Sequence, residues 1–503
     1  MMRFRLDRRA VSVLLVVVLP VVLVVAYATG VVHRVPPVAA PRFASPSAPH
    51  LPMVPNVPTS GVVASPLGGR VNTPWFCGGA PSGTDGAGVS VVVVNPADAP
   101  LVGTITVYSD ATQKSVVSPF EVPARGRLEQ SLSALQPDGT MLSALVDIKG
   151  AGGFVEERVV SRGVNGVQGT AGTAVTACAN DAAAKWYFAD NYTLNGSTEQ
   201  LAIANPFADE AIVDLTFSTN DGIRQPQALQ GVPIGPHSVV VVTEQSMPKN
   251  EAVMALTVSA SRGRVVAQRV QTYLGERAGF AVTLGTPARS SEWVFADGVG
   301  SDEALFERYT IYNPTDADVK VTSVLLGVTD PTFLGTRTDT IDAGGVKSFI
   351  VREFGKVPAG RHALVATAAS ASVVVEQAVT RPVKNGYVTS VSLGAPKMFE
   401  TFTRWSVAVG PTAPAPSSLL ALNLDDVDGT VTVNAFGVAG EVPIAGLADL
   451  ALPANQVTAI DLTDPSLAGA PLSIVSQRHI VVLRLYALGV DLPGRSAALA
   501  LPG

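Results

Sequence analysis

Two cysteines, Cys77 and Cys178, and five histidines, His33, His50, His237, His362 and His479, are the first residues to weigh for chemistry. The histidines are scattered, with no His-x-x-x-His or His-Glu-x-x-His spacing, so a zinc site is not expected. No Gly-x-Ser-x-Gly nucleophile elbow and no phosphate-binding Gly-rich loop occurs in the chain. Asp425, Asp426 and Asp428 lack the spacing and the closing Glu of a calcium loop, and read instead as a solvent-facing acidic turn. Paired carboxylates on separate strands are the one hydrolytic arrangement a sequence cannot exclude. No catalytic, cofactor-binding or metal-ligating residue is assigned, no cofactor is expected, and the chain is read as not an enzyme. The cysteines form no Cys-x-x-Cys pair, which argues against redox catalysis. They are predicted to form one disulfide in an oxidising compartment. Closing a loop of about 100 residues is worth about 4.7 kcal/mol in the chain-entropy picture.

The elements that would hold these residues repeat. Trp75, Trp186, Trp293 and Trp405 are separated by 111, 107 and 112 residues. Asn-Pro follows the first three, at Asn95, Asn205 and Asn313, and Asn423 holds a similar position in the last stretch. A turn near Pro123, Pro233, Asp342 and Pro453 comes next in each copy. Short Val-rich runs alternate with polar residues between Gly, Pro, Asp and Asn, which is a strand pattern. The 46 glycines and 37 prolines leave few helix-forming stretches. Turns are too short for crossover helices, so antiparallel sheets are expected. The predicted fold is all-β, with four tandem antiparallel Ig-like β-sandwiches at 72–180, 181–287, 288–396 and 397–503. A β-propeller is the alternative, although neither the Trp nor the Asn-Pro recurs at half the period. Each Trp is expected to plug the gap between two sheets with its ring N–H bonded, and each Asn to bond back into its turn. Cys77 aligns with Phe188 and Phe295, and Cys178 with Gly285, so one copy replaces a packing contact with a covalent one. Glu157, Gln268, Gln377 and Arg484 recur inside apolar strands and are read as an interface, a wetter face or bonded core positions. Ser261-Arg262-Gly263 is read as a turn between paired strands, and 363–366 with 372–379 as a late hairpin.

Residues 10–32 are almost wholly apolar and follow Arg3, Arg5, Arg8 and Arg9. About 23 helical residues span roughly 34 Å, enough for a bilayer. The basic tail 1–9 is expected to stay cytoplasmic, 10–32 to anchor the chain in the plasma membrane, and the rest to lie outside. A cleaved signal ending near Ala28 is the alternative. Residues 33–71 carry nine prolines from Pro36 to Pro66 and read as an extended stalk, with a short strand at 61–64. The net charge of −6 gives no basic footprint, so nucleic acid is not an expected partner.

The basic N-terminus, single apolar segment, Pro-rich stalk and Trp75-Phe76-Cys77-Gly78-Gly79 opening resemble an actinobacterial membrane-anchored family known as domain of unknown function 5719. Members begin similarly with Trp, an aromatic and Cys, often followed by Pro, where Gly78 stands here. The resemblance implies an envelope protein of a high-GC Gram-positive bacterium and a link to membrane glycosyltransferases of polysaccharide assembly. It transfers no catalytic residue. The expected function is a membrane-anchored extracytoplasmic scaffold or accessory protein that contacts an envelope protein such as a glycosyltransferase. The alternative is a module that binds envelope polysaccharide without catalysis.

Overall fold

The computed structural model describes residues 72–503, apart from 83–87, 111–114, 151, 165–166, 168–169, 301–303, 329–334, 384–385, 411–416, 438–439 and 488–494. All of these belong to one compact unit, Val54–Gly503. The expected basic tail, anchor and stalk, with the strand at 61–64, lie outside the described residues. Among the described residues no helix is long and apolar enough to cross a membrane.

The chain folds into antiparallel sheets, none closed into a barrel. Within 72–177 one sheet has the order Asn72–Pro81, Met141–Lys149, Leu101–Ser109, Val116–Val122. A second has the order Arg127–Ser131, Gly88–Val94, Phe154–Arg162, Ala171–Ala177. The same pairing recurs within 185–284, 292–396 and 404–502, with every sheet drawn from one stretch alone. We call these stretches the first to fourth segments. No sheet follows chain order, as the meander of a propeller blade would.

Side-chain alternation explains why each sheet buries one face. In Val319–Leu326, Val319, Val321, Ser323 and Leu325 are buried while the residues between them are not. The two sheets of each segment share a core, as where Leu215 and Leu256 of one meet Leu201 and Ile203 of the other. All four tryptophans are buried, at 2, 0, 0 and 0% exposure from Trp75 to Trp405. The indole N–H groups of Trp186, Trp293 and Trp405 donate to the carbonyls of Val265, Val373 and Ile480 at 2.7, 2.9 and 2.7 Å. Trp75 departs from this pattern: its Nε1 is buried without an acceptor. Gly152 and Gly153, both at positive φ, stand where the other segments offer that carbonyl, and the irregular backbone aims none at the ring.

The four asparagines carry the firmest repeat. Each is fully buried. Each amide Nδ2 donates to the carbonyl four residues on, at 2.8 Å for Ala99, Asp209 and Ala317 and 3.0 Å for Val427. It also reaches the end of the later turn, through Val122, Ile234, Ile341 or Leu452 at 3.1 Å. Each Oδ1 accepts the backbone N–H two residues on, from Ala97, Phe207, Thr315 and Asp425. One buried amide thus ties two turns together, and an apolar residue would leave several backbone groups unpaired.

Two local expectations need correction. Pro233 is not in the turn. It sits in the short strand Val232–Ile234 paired with Ala211–Val213, and the turn starts at Gly235. Its third residue, His237, takes φ 51°, matching Arg125, Gly344 and Asn455 in the other copies. The late hairpin is also absent. Met254–Arg262 pairs with Ala211–Thr219 and Lys185–Asn191, whereas Val266–Tyr273 pairs with Thr198–Asn205 and Gly279–Leu284. Arg361–Ala368 and Val374–Val383 divide between two sheets in the same way. The short turn carries the chain across the core instead of back along one sheet.

The segments are also joined to one another. Apolar clusters bridge the first and second through Tyr108, Met141, Ala202 and Val239, and the second and third through Tyr192, Tyr273, Ala378 and Val391. Val294 and Ala296 pack with Leu419 and Trp405 of the fourth, and Val409 and Tyr486 pack with the core of the first. The last long strands of the segments, Ala171–Ala177, Gly279–Leu284, Gly386–Leu393 and Arg495–Leu499, each touch the next in a closed cycle.

Candidate functional site

The cycle rests on a bulge repeated in the tryptophan strands. Register shifts fall between Cys77 and Ala80, between Phe295 and Gly298, and opposite Phe188 to Asn191. A bulge leaves backbone groups unpaired in its own ladder. In the second segment, the N–H groups of Ala189 and Asp190 both donate to Glu376 of the third, at 2.8 and 2.5 Å. Arg269 binds the Asp190 carbonyl at 2.7 Å and pairs with Glu376 at 3.2 Å. In the fourth segment, Ala408 and Val409 donate to Glu156 of the first at 3.1 and 2.9 Å. Arg484 takes the Val409 carbonyl at 2.7 Å and Glu156 at 3.1 Å. These four charged side chains are at most 1% exposed.

The junction of the first and second segments uses an amide. There Gln268 donates to the Gly79 carbonyl at 2.8 Å and to Glu157. A Cβ on Gly78 would lie 2.5 Å from the Gln268 Cβ, so glycine is required there for this approach. In the third segment Gln377 reaches the Asp297 carbonyl of its own segment at 3.1 Å, and the fourth carries Leu483 where the third has Glu376. Burial pushes Glu157 up to about 7, only partly offset by hydrogen bonds from Gln268 and the Gly79 backbone. Asp190 goes the other way: burial would raise it, but Arg277 and Arg269 together hold it below the usual carboxylate range.

The interface reading fits Glu157, Gln268 and Arg484, Gln377 is a bonded core position of its own segment, and the register is off by one in the second segment. Pairing of these strands with the closing strands aligns Gln268 with Glu156, Glu376 and Leu483, and Arg269 with Glu157, Gln377 and Arg484. Sequence reasoning missed Glu156, Arg269 and Glu376. The signal was present, since each is a polar residue next to the chosen one inside an apolar strand.

Cys77 and Cys178 form a disulfide across 101 residues, with Cα atoms 4.4 Å apart. The aligned pairs replace it by close packing: a Cβ on Gly285 would meet the Phe188 ring at 2.6 Å, and one on Gly394 the Phe295 ring at 2.6 Å. The acidic turns serve the backbone. Asp318 and Asp428 accept from Ala343 and Ala454 at 2.9 Å, and Asp425 holds His479 at 2.8 Å. Among the described residues no group of three His, Cys, Asp or Glu side chains is placed to hold a metal. His237 stacks on Tyr108 with ring centroids 5.7 Å apart.

Two cavities bear on ligand binding. The axis of the cycle encloses about 30 Å³, lined by Thr176, Thr283, Ser392 and Ala498 with their strand neighbours. That volume suits ordered water and little more. A larger space, about 220 Å³, lies between the third and fourth segments, against Arg361 and His362 of one and Gln456 and Val457 of the other.

A model of the family described as "Family of unknown function (DUF5719)" matches residues 151–401, a little under half of the chain, and supports that resemblance over this region. No curated protein matches the chain. Among solved structures, one titled "Crystal Structure of Thermotoga maritima 1070" is similar at 17% identity and a TM-score of 0.19, covering 22% of this chain and 96% of that one. A tetra-tandem repeat from the extending region of a large adhesion protein is similar at 13% identity and a TM-score of 0.10, covering 82% of this chain and 93% of that one. At these scores neither likeness bears on the function.

Proposed function

We propose that the protein is an extracytoplasmic scaffold of the cell envelope, in which four copies of one Ig-like β-sandwich close into a ring that presents surface to a protein partner. The observation that carries this reading is the head-to-tail junction. At three of the four junctions the backbone beside the tryptophan strand is answered by a side chain of the next segment, including the step from the fourth back to the first. A closed frame with buried junctions holds its outer edges and turns at fixed spacing, which lowers the ordering cost of binding a large partner. The Cys77–Cys178 disulfide favours an oxidising compartment, in keeping with the outside location expected from the N-terminus. Anchoring through 10–32 would raise the local concentration of the ring near a membrane partner such as a glycosyltransferase. The actinobacterial origin, the anchor and the partner are parts of the same proposal.

The test is crosslinking and affinity recovery of the full-length chain from its native membrane. Reproducible recovery of one envelope membrane protein supports the scaffold. Recovery of polysaccharide without any protein contradicts it.

A further inference from the structure

The repeat allows the four junctions to be compared position by position. Strand pairing gives each junction two equivalent positions, one from either side: Glu157 and Gln268, Arg269 and Glu376, Gln377 and Leu483, Arg484 and Glu156. Two junctions hold an Arg–Glu pair, in which each charge meets its opposite. The third–fourth junction places an amide and an alkyl group there, with no charge at all. The first–second junction alone sets a carboxyl against an amide.

Glu157 and Gln268 are both fully buried. The amide Nε2 spends its two hydrogens on the Gly79 carbonyl, at 2.8 Å, and on Oε2 of Glu157. Oε1 of Glu157 and Oε1 of Gln268 are buried with no donor. The surrounding strands bring no cation. Gly88–Val94 and Ala171–Ala177, on either side, contain no titrating side chain, and Asn72–Pro81 contains only the bonded Cys77. On its own strand, Glu156 is taken by Arg484 and Arg158 by Glu129. Across the junction, Arg269 is turned to Glu376, and the Tyr273 ring lies under Arg277. An ionised Glu157 is therefore a buried charge with hydrogen bonds but no counter-ion, and opening the junction would give it water.

We propose that the first–second junction is a proton-operated latch, closed while Glu157 is neutral and released, ahead of the other three, when it ionises. At the Arg–Glu junctions the carboxylate already meets a guanidinium, so its charge favours closure. Burial raises Glu157 from 4.5 to about 7 in the closed junction. The closed form thus holds the proton more tightly than the open form. Support for closure is complete below pH 4.5 and is lost as pH rises through about 7. From pH 6 to pH 8 the ratio of closed to open falls about tenfold. Release uncovers the apolar contact of Tyr108 and Met141 with Ala202 and Val239, so the ring gives way along one defined seam. The latch does not depend on which partner the ring holds.

Thiol labelling of the full chain tests the latch. Both native cysteines are bonded, so an introduced one reacts alone. Ala202→Cys reports on the first–second junction and Ala378→Cys on the second–third. Each is labelled with excess iodoacetamide from pH 6 to pH 8, with Glu157 present and with Glu157→Gln. The ratio of the two rates cancels the thiolate fraction and the titration of other groups, including Glu199, which burial raises to about 7 inside the second segment. At position 202 the ratio is expected to rise about tenfold across that range, and at position 378 to change by less than about twofold. Glu157→Arg/Gln268→Glu installs the pair that joins the second and third segments. It is expected to remove the pH dependence at position 202, and it serves as the reference should Glu157→Gln fail to fold. Val239→Cys reads the same junction should a cysteine at 202 disturb the packing. A ratio that stays flat at the first–second junction, or an equal rise at both junctions, overturns the proposal.

Discussion

Glu156 and Arg484 are 328 residues apart in the chain and form a buried ion pair of 3.1 Å. Through it the fourth segment closes onto the first by the contact that joins the second to the third, where Arg269 meets Glu376 at 3.2 Å. Removing one partner of such a pair strands the other charge, whereas replacing both with apolar groups can be nearly neutral. Arg484→Ala is expected to lower unfolding stability by about 3–5 kcal/mol. The double variant Glu156→Leu/Arg484→Leu should recover only part of that loss, because the Ala408 and Val409 N–H groups and the Val409 carbonyl lose their partners as well. Denaturant titration of the two variants against the native chain checks the ordering, and a double variant no better than the single would contradict it.

The disulfide makes a different kind of prediction, because the repeat contains its substitute. Cys77→Ser/Cys178→Ser should cost about 2–5 kcal/mol. Cys77→Phe/Cys178→Gly copies the pairs Phe188 over Gly285 and Phe295 over Gly394. It is expected to melt higher than the serine variant under the same non-reducing conditions. Differential scanning calorimetry decides between them.

The tryptophans should not respond alike. Trp186→Phe, Trp293→Phe and Trp405→Phe each delete a buried hydrogen bond, at a cost of about 1 kcal/mol beyond the lost packing, since the carbonyls of Val265 and Val373 keep the N–H of Ala183 and Ser290. Trp75→Phe deletes an N–H that has no acceptor. It should be the mildest of the four, measured by chemical denaturation of each single variant.

Glu157 sets a pH dependence whose sign follows from its environment. Burial raises its folded-state value from 4.5 to about 7. The folded chain therefore holds this proton more tightly than the unfolded chain. The contribution is fully present below pH 4.5 and is lost as pH rises through about 7. The loss is on the order of 3 kcal/mol. Glu157→Gln carries no titrating group. The stability difference between variant and native chain should shift in favour of the variant from pH 5 to pH 8, and a difference flat across that range would contradict the assignment.

Much of the framework was legible because it is local. A Trp and an Asn recurring at one period mark a core plug and a turn tie, and both roles can be argued from a single strand and its neighbour. The aligned Phe188, Phe295 and Gly285 exposed the place of the disulfide for the same reason. The ring was not legible. Glu156 and Glu376 accept backbone N–H groups of other segments, and their meaning depends on contacts between distant parts of the chain. Pro233 and Gln268 show the related limit of register: a displacement of one or two residues leaves the composition unchanged but alters the partner.

Ring closure is tested most directly at the junction of the first and fourth segments. The rings of Phe154 and Phe436 have centroids 6.4 Å apart. A benzophenone amino acid placed at Phe436 in the full chain should, on irradiation, give a monomeric product whose tryptic map links residue 436 to the strand Phe154–Arg162. Absence of that intramolecular link, or its appearance only between two chains, would show that the fourth segment does not return to the first.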